Sequence, residues 1–106
     1  MNDGKTTGNR APIGVYDSGL GGLTVWREIR RALPSESLVY LGDGANCPYG
    51  SRPREEVQQL ADAAVARLVG AGCKMVVVAC NTATAAAIDF LSLIHISEPT
   101  RLLSIS

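Results

Sequence analysis

Residues 75–90 run Met75-Val-Val-Val-Ala-Cys80-Asn-Thr-Ala-Thr-Ala-Ala-Ala-Ile-Asp-Phe90, and the fold class turns on this stretch. Met75 to Ala79 are apolar without interruption and largely β-branched, the pattern of a central strand buried on both faces rather than the alternation of an open antiparallel sheet. Ala83 to Phe90 are alanine-rich and so favour helix. Strand therefore passes to helix across Cys80-Asn81-Thr82. The same alternation recurs toward the N-terminus. Arg54 to Ala71 carry a stripe of Val57, Leu60, Ala61, Ala64, Val65 and Leu68 at helical spacing, with Arg, Glu, Gln and Asp opposite and Gly70 and Gly72 as the stop. Leu38 to Leu41 form a second apolar run, closed by Gly42-Asp-Gly44 and the Pro48-Tyr-Gly50 turn. Ile13 to Tyr16 form another, followed by Asp17-Ser-Gly-Leu-Gly-Gly22 and a helical pattern from Leu23 to Leu33. Three strand-then-helix units in succession predict an α/β fold: a parallel sheet with right-handed crossovers and helices on its faces.

The chain has 106 residues, 46% apolar and 19% charged, with ten Lys and Arg balanced by ten Asp and Glu. That is one domain's worth of sequence, with enough apolar content for a core and too little charge for a disordered or nucleic-acid-coating chain. Neutrality gives no electrostatic case for a nucleic-acid or membrane partner. The longest apolar run, Met75 to Cys80, falls far short of the roughly 20 residues a membrane helix needs. Residues 1–12 are polar, lack the apolar stretch of a signal peptide and read as a flexible arm. Three cysteines without paired spacing suit a reduced, cytoplasmic protein with free thiols, and no metal cluster is indicated.

Residues 13–90 make up the α/β domain; the segment after them breaks the pattern. Leu91 to Arg101, LSLIHISEPTR, resembles at every position the translation of a transposon-end adapter used in sequencing-library preparation, so 91–106 read as a non-native tail. The alternative is a short strand over Ser92 to Ser97 followed by a Glu-Pro loop. His95, the only histidine, lies in this segment and is given no mechanism.

Ligands of parallel α/β sheets bind at the carboxyl ends of the strands, and the unusual residues of this sequence fall there. Asp17-Ser18 follow the first strand, Asp43 to Gly50 the second, Cys80-Asn81-Thr82 the third. The first loop is glycine-rich at a strand-to-helix turn, which lets backbone N–H groups approach an anion. Its spacing is not that of a dinucleotide fingerprint, and no Gly-Lys-Ser/Thr follows. A tight turn with Asp17 or Ser18 as helix cap accounts for it equally well. Cys80, at a helix N-terminus, is placed where negative charge on sulfur is stabilised, so it is a candidate nucleophile or proton-transfer base. The competing reading is a small buried hydrophobe. Cys73 precedes the same strand and should lie roughly 20 Å away on the opposite edge, in a structural role. Cys47 is on the correct edge, in a loop whose path the sequence does not define.

Taken together, Ile13 to Thr24, Gly42 to Gly50 and Ala79 to Ala83 closely resemble the N-terminal half of glutamate racemase, in order and in spacing. The resemblance implies the first part of a two-domain racemase fold and a cofactor-independent isomerase that interconverts L- and D-glutamate, supplying D-glutamate for bacterial peptidoglycan. Two cysteines of that family face each other across the substrate α-carbon, one removing a proton and the other donating one. Cys80 matches the first. Asp17, Ser18, Tyr49, Gly50, Asn81 and Thr82 match positions that hold the amino and carboxylate groups, Asp17 also lying near the proton-transfer machinery. Without pyridoxal phosphate, a weakly acidic C–H demands held bases and a charge-stabilising, desolvated pocket.

Two departures stand out. Gly44 and Cys47 replace the middle loop's usual pattern, and the family's second half, with its Cys-Thr-His element, is missing. The expectation is a truncated racemase, inactive alone, poorly soluble or partly molten. Its partner is glutamate, and a homo-oligomer of the full-length protein stays open. A dinucleotide-binding fragment with Asp43 on a ribose hydroxyl is one alternative. A non-catalytic interaction domain is the other.

Overall fold

A computed structural model describes residues 10–94 and 101–104. Four strands form one parallel sheet: β1 (Ile13–Asp17), β2 (Leu38–Gly42), β3 (Met75–Val78) and β4 (Arg101–Ser104), in the order β2-β1-β3-β4. Three helices connect them, α1 (Leu23–Ala32), α2 (Arg54–Gly70) and α3 (Asn81–Ile94), with a short 3-10 turn at Gly44–Asn46. The parallel α/β class expected from the alternating pattern is what the chain adopts. In register, Ile13 stands between Leu38 and Met75, and Tyr16 between Leu41 and Val78, so β1, β2 and β3 end together and deliver their loops to one edge.

Strand alternation divides the interior into two layers. Tyr16, Val76 and Val78 face α2 and α3, packing with Val57, Ala61, Val65, Leu68, Ala83, Ala87 and Leu91. Ile13, Val15 and Val77 face the other way, toward Val25, Trp26 and Ile29 of α1. Both faces of the inner strands are therefore covered, as an uninterrupted apolar run requires. The coverage is unequal. Five residues of α2 are buried, whereas none of α1 is, and an open apolar groove of about 400 Å³ remains between α1, Val77 and Leu103.

Helix α2 stops where the glycines predict. Gly72 has φ +89°, a left-handed conformation that costs glycine little and other residues more. Lys74 N–H then donates to the Pro12 carbonyl at 2.9 Å and starts β3 against β1.

The segment after Phe90 is structured where it is described. Leu91 to Ile94 extend α3 rather than opening a strand, and Leu91 is fully buried. Arg101–Ser104 add a fourth strand in register with β3, pairing Val76 with Leu102. An open strand edge presents unpaired N–H and C=O groups that any β-compatible segment can satisfy. His95 and the arm residues 1–9 lie outside the described residues. Among the described residues no helix is long and apolar enough to cross a membrane.

Candidate active site

Asp17 closes β1 and is 8% exposed, the buried charged residue of this edge. Its Oδ2 accepts the N–H of Gly22 at 3.0 Å and of Gly19 at 3.3 Å, so one carboxylate oxygen gathers the glycine-rich loop beneath the start of α1. Gly22, the residue flanking α1, has no side-chain cap. Asp17 thus does the loop-organising work of a cap while its second oxygen is left for other use. Ser18 beside it is half-buried.

The second loop is bound to the first. Asp43 N–H donates to the Asp17 carbonyl at 3.0 Å, and Tyr40 Oη donates to the Gly19 carbonyl at 2.7 Å. A Cβ at Gly42 would lie 2.3 Å from Gly19 O, a closeness only glycine permits. Cys47, exposed, has its sulfur beside Gly19, which defines the loop path that the sequence left open.

Within this loop Asp43 is a hub. Its carboxylate accepts Asn46 Nδ2 at 3.0 Å and Tyr49 Oη at 2.7 Å, and Tyr49 Oη in turn accepts the Tyr16 hydroxyl at 2.8 Å. Both phenols are buried. Burial drives the Tyr16 phenol far above its ordinary value, and the Cys80, Asp43 and Asp17 charges push it the same way, against the hydrogen bond to Tyr49. Burial also raises Tyr49, reinforced by its bonds to Tyr16 and Asp43. Both are therefore held as neutral donors. Tyr16, near the end of β1, is hydrogen-bonded to the second loop through Tyr49 and lies in the same buried cluster as Cys80.

Cys80 follows β3 and is 5% exposed. Its Sγ accepts Ala83 N–H at 3.4 Å and its carbonyl accepts Thr84 N–H at 2.9 Å, the arrangement of a helix N-cap residue. This explains why α3 begins at Asn81, two residues before the alanine-rich run. Asn81 is exposed and Thr82 half-buried in the first turn, beside N–H groups that lack intrahelical partners. Tyr49 packs in the same cluster as Cys80 with its hydroxyl committed inward, while Gly50 is exposed with open space beside it. Cys73, at the opposite end of β3, is raised by burial and borders Gly14 and Leu68, in keeping with a packing role.

All seven candidate residues thus lie at one sheet edge. Tyr16 and the hub role of Asp43 went unread in the sequence, where Tyr16 passes as one more apolar strand residue.

No family model matches the chain. Curated relatives do. The glutamate racemase of Roseiflexus sp. is 60% identical over 77 residues, which cover 73% of this chain and 28% of the relative. Among solved structures, glutamate racemase from Francisella tularensis in complex with D-glutamate superposes with a TM-score of 0.84 at 35% identity, over 91% of this chain and 36% of that one. The Escherichia coli glutamate racemase in complex with L-glutamate gives 0.78 at 29% identity, over 90% and 35%. The chain is a relative of these racemases and spans about three tenths of the length of the curated relatives it matches.

Proposed function

We propose that this chain supplies one wall of a glutamate racemase site, in which Cys80 exchanges a proton with one face of the substrate α-carbon. The observation that carries it is the thiol at the carboxyl end of β3, capping α3, with the other two racemase-like loops drawn to the same edge. Removing the proton breaks the Cα–H bond and forms S–H, the electron pair spreading into the adjacent carboxylate. Sulfur must carry negative charge beforehand. The Ala83 N–H on Sγ and the N-terminal N–H groups of α3 beside it are the polar groups this chain presents to that sulfur.

The remaining candidates suit the substrate's polar groups. The second oxygen of Asp17 matches an ammonium, while Ser18, Asn81 and Thr82 and the backbone at Tyr49 and Gly50 offer donors for carboxylates. D-glutamate and L-glutamate are bound by the Francisella and Escherichia coli relatives respectively, which supports glutamate as the small-molecule partner. No cofactor enters this scheme. Inversion also needs a donor on the opposite face, and this sequence has no Cys-Thr-His element to provide it. We therefore take the chain as part of a longer cytoplasmic enzyme that feeds D-glutamate to peptidoglycan, with residues 91–106 foreign to it.

The test uses both lengths of protein. The 106-residue chain incubated with L-glutamate in heavy water should yield no D-glutamate. The enzyme encoded by the complete gene should racemise, and Cys80→Ser in it should cut turnover by at least ~10²-fold, the scale of general acid–base catalysis. Full activity in that variant would refute the assignment.

A further inference from the structure

The chain of hydrogen bonds beneath the second loop runs in one direction. Tyr16 donates to Tyr49 at 2.8 Å and Tyr49 donates to the Asp43 carboxylate at 2.7 Å. It begins in the core layer that contains Cys80 and ends at the loop surface. Asp43 is half-buried, whereas Tyr16 and Tyr49 are almost completely enclosed, at 0% and 1% exposure. The same loop is secured from outside, because Arg52 Nε donates to the Asn46 carbonyl at 2.9 Å and its guanidinium pairs with Glu56 of α2. We propose that Asp43 is a positioning residue for the Cys80 thiol: its carboxylate, acting through Tyr49 and Tyr16, holds the 43–50 loop down over the ends of β1 and β3. This role rests on Cys80 being the thiol of the proposed site, but it concerns the cover of that thiol and not the reaction.

The physical case is one of satisfaction. A buried phenol that loses its acceptor keeps the full cost of desolvation, so Tyr49 stays inside only while Asp43 accepts its hydrogen bond. Tyr49 is also the residue of the loop that belongs to the same buried cluster as Tyr16, Ala83 and Cys80. Removing the Asp43 carboxylate therefore favours an opened loop in which Tyr49 reaches water and leaves the buried cluster it shares with Cys80. Opening should stay at this end of the sheet, because among the described residues Asp43 bonds to Asp17, Asn46 and Tyr49, whereas Cys73 precedes β3 at its far end.

Site-resolved alkylation of the 106-residue chain by iodoacetamide, read by mass spectrometry, tests this, because the three cysteines report separately. Exposed Cys47 measures reagent reactivity, and buried Cys73 at the far end of β3 measures general loosening. In the unsubstituted chain Cys80 should react far more slowly than Cys47. Asp43→Ala should accelerate Cys80 roughly tenfold, as expected for loss of a hydrogen bond to a charged group, and leave Cys73 unchanged. Asp43→Asn, whose amide oxygen can still accept from Tyr49, should give a smaller rise. Asp43→Ala combined with Tyr16→Phe should fall short of the product of the single effects, since both act through Tyr49. The proposal is overturned if Cys80 already reacts as fast as Cys47, if its rate ignores Asp43, or if Cys73 rises in parallel in both Asp43 variants. Failure of the racemase assignment would instead appear as undiminished turnover in the full-length Cys80→Ser enzyme, with these alkylation rates unaffected.

Discussion

The absence of a single methyl group decides how near the first two loops can come. Gly42 has no left-handed backbone to justify it; its requirement is purely spatial, because a Cβ would press on the Gly19 carbonyl at 2.3 Å. Backbone cannot swing aside as a flexible side chain does. Gly42→Ala is expected to destabilise the chain by about 1–3 kcal/mol, the usual range for overpacking, while Gly50→Ala, with nothing within 4 Å, should change stability by less than ~0.5 kcal/mol. Urea unfolding midpoints compare the two, and equal values would mean that the loops do not touch. The phenols give a pH signature at the same scale. Burial raises both Tyr16 and Tyr49, so the folded state favours their protonated forms. Their contribution is then whole below the unfolded phenol value of about 10 and is lost as pH climbs past it. The melting temperature should decline most steeply above about pH 10, and Tyr49→Phe should flatten that part of the alkaline decline.

Among the elements, α3 shows what the sequence could and could not disclose. Strand identity was legible because Met75 to Val78 have no polar residue to place on a solvent face, and the stripe on α2 was legible because its helical spacing is regular. The ends of α3 were not. Asn81 and Thr82 are weak helix formers, and the Cys80 sulfur on Ala83 N–H together with its carbonyl on Thr84 N–H brings them into the first turn. At the other end, the change in sequence character after Phe90 conceals that Leu91 continues the stripe of Ala83 and Ala87 into the core. The site was legible as three loops, since loop position follows from topology. The Tyr16–Tyr49–Asp43 chain was not, because a hydrogen bond between residues 33 apart leaves no local pattern. If Leu91 is as integral as its complete burial indicates, Leu91→Ala should cost about 2–5 kcal/mol. A passive appendage would lose nothing, so an unchanged denaturation midpoint would separate the domain from everything after Phe90.

For the molecule as a whole, the unequal clothing of the sheet governs how it resists unfolding. One face is sealed by α2 and α3, whose packing residues include five buried side chains on α2 alone. The other is shaded by α1, which buries no residue completely, meets the sheet through half-buried Val25, Trp26 and Ile29, and leaves the apolar groove beside Val77 open. Local opening is easiest where few apolar contacts must be broken, so protection should be graded across the fold and the chain should not behave as uniformly molten. Native-state hydrogen exchange is expected to show the amides of β1, β3, α2 and the first turns of α3 exchanging last, at a common free energy of opening. Those of α1 should exchange several orders of magnitude sooner, by a separate opening that leaves the α2–α3 layer intact. The loops at this end of the sheet straddle this boundary: the third belongs to α3, whereas the first is tied to α1 by Asp17, which holds Gly22 N–H from the end of β1. Asp17→Asn should therefore hasten exchange in α1 while sparing α3. Equal protection of all three helices would show that the thin face is as firmly closed as the sealed one.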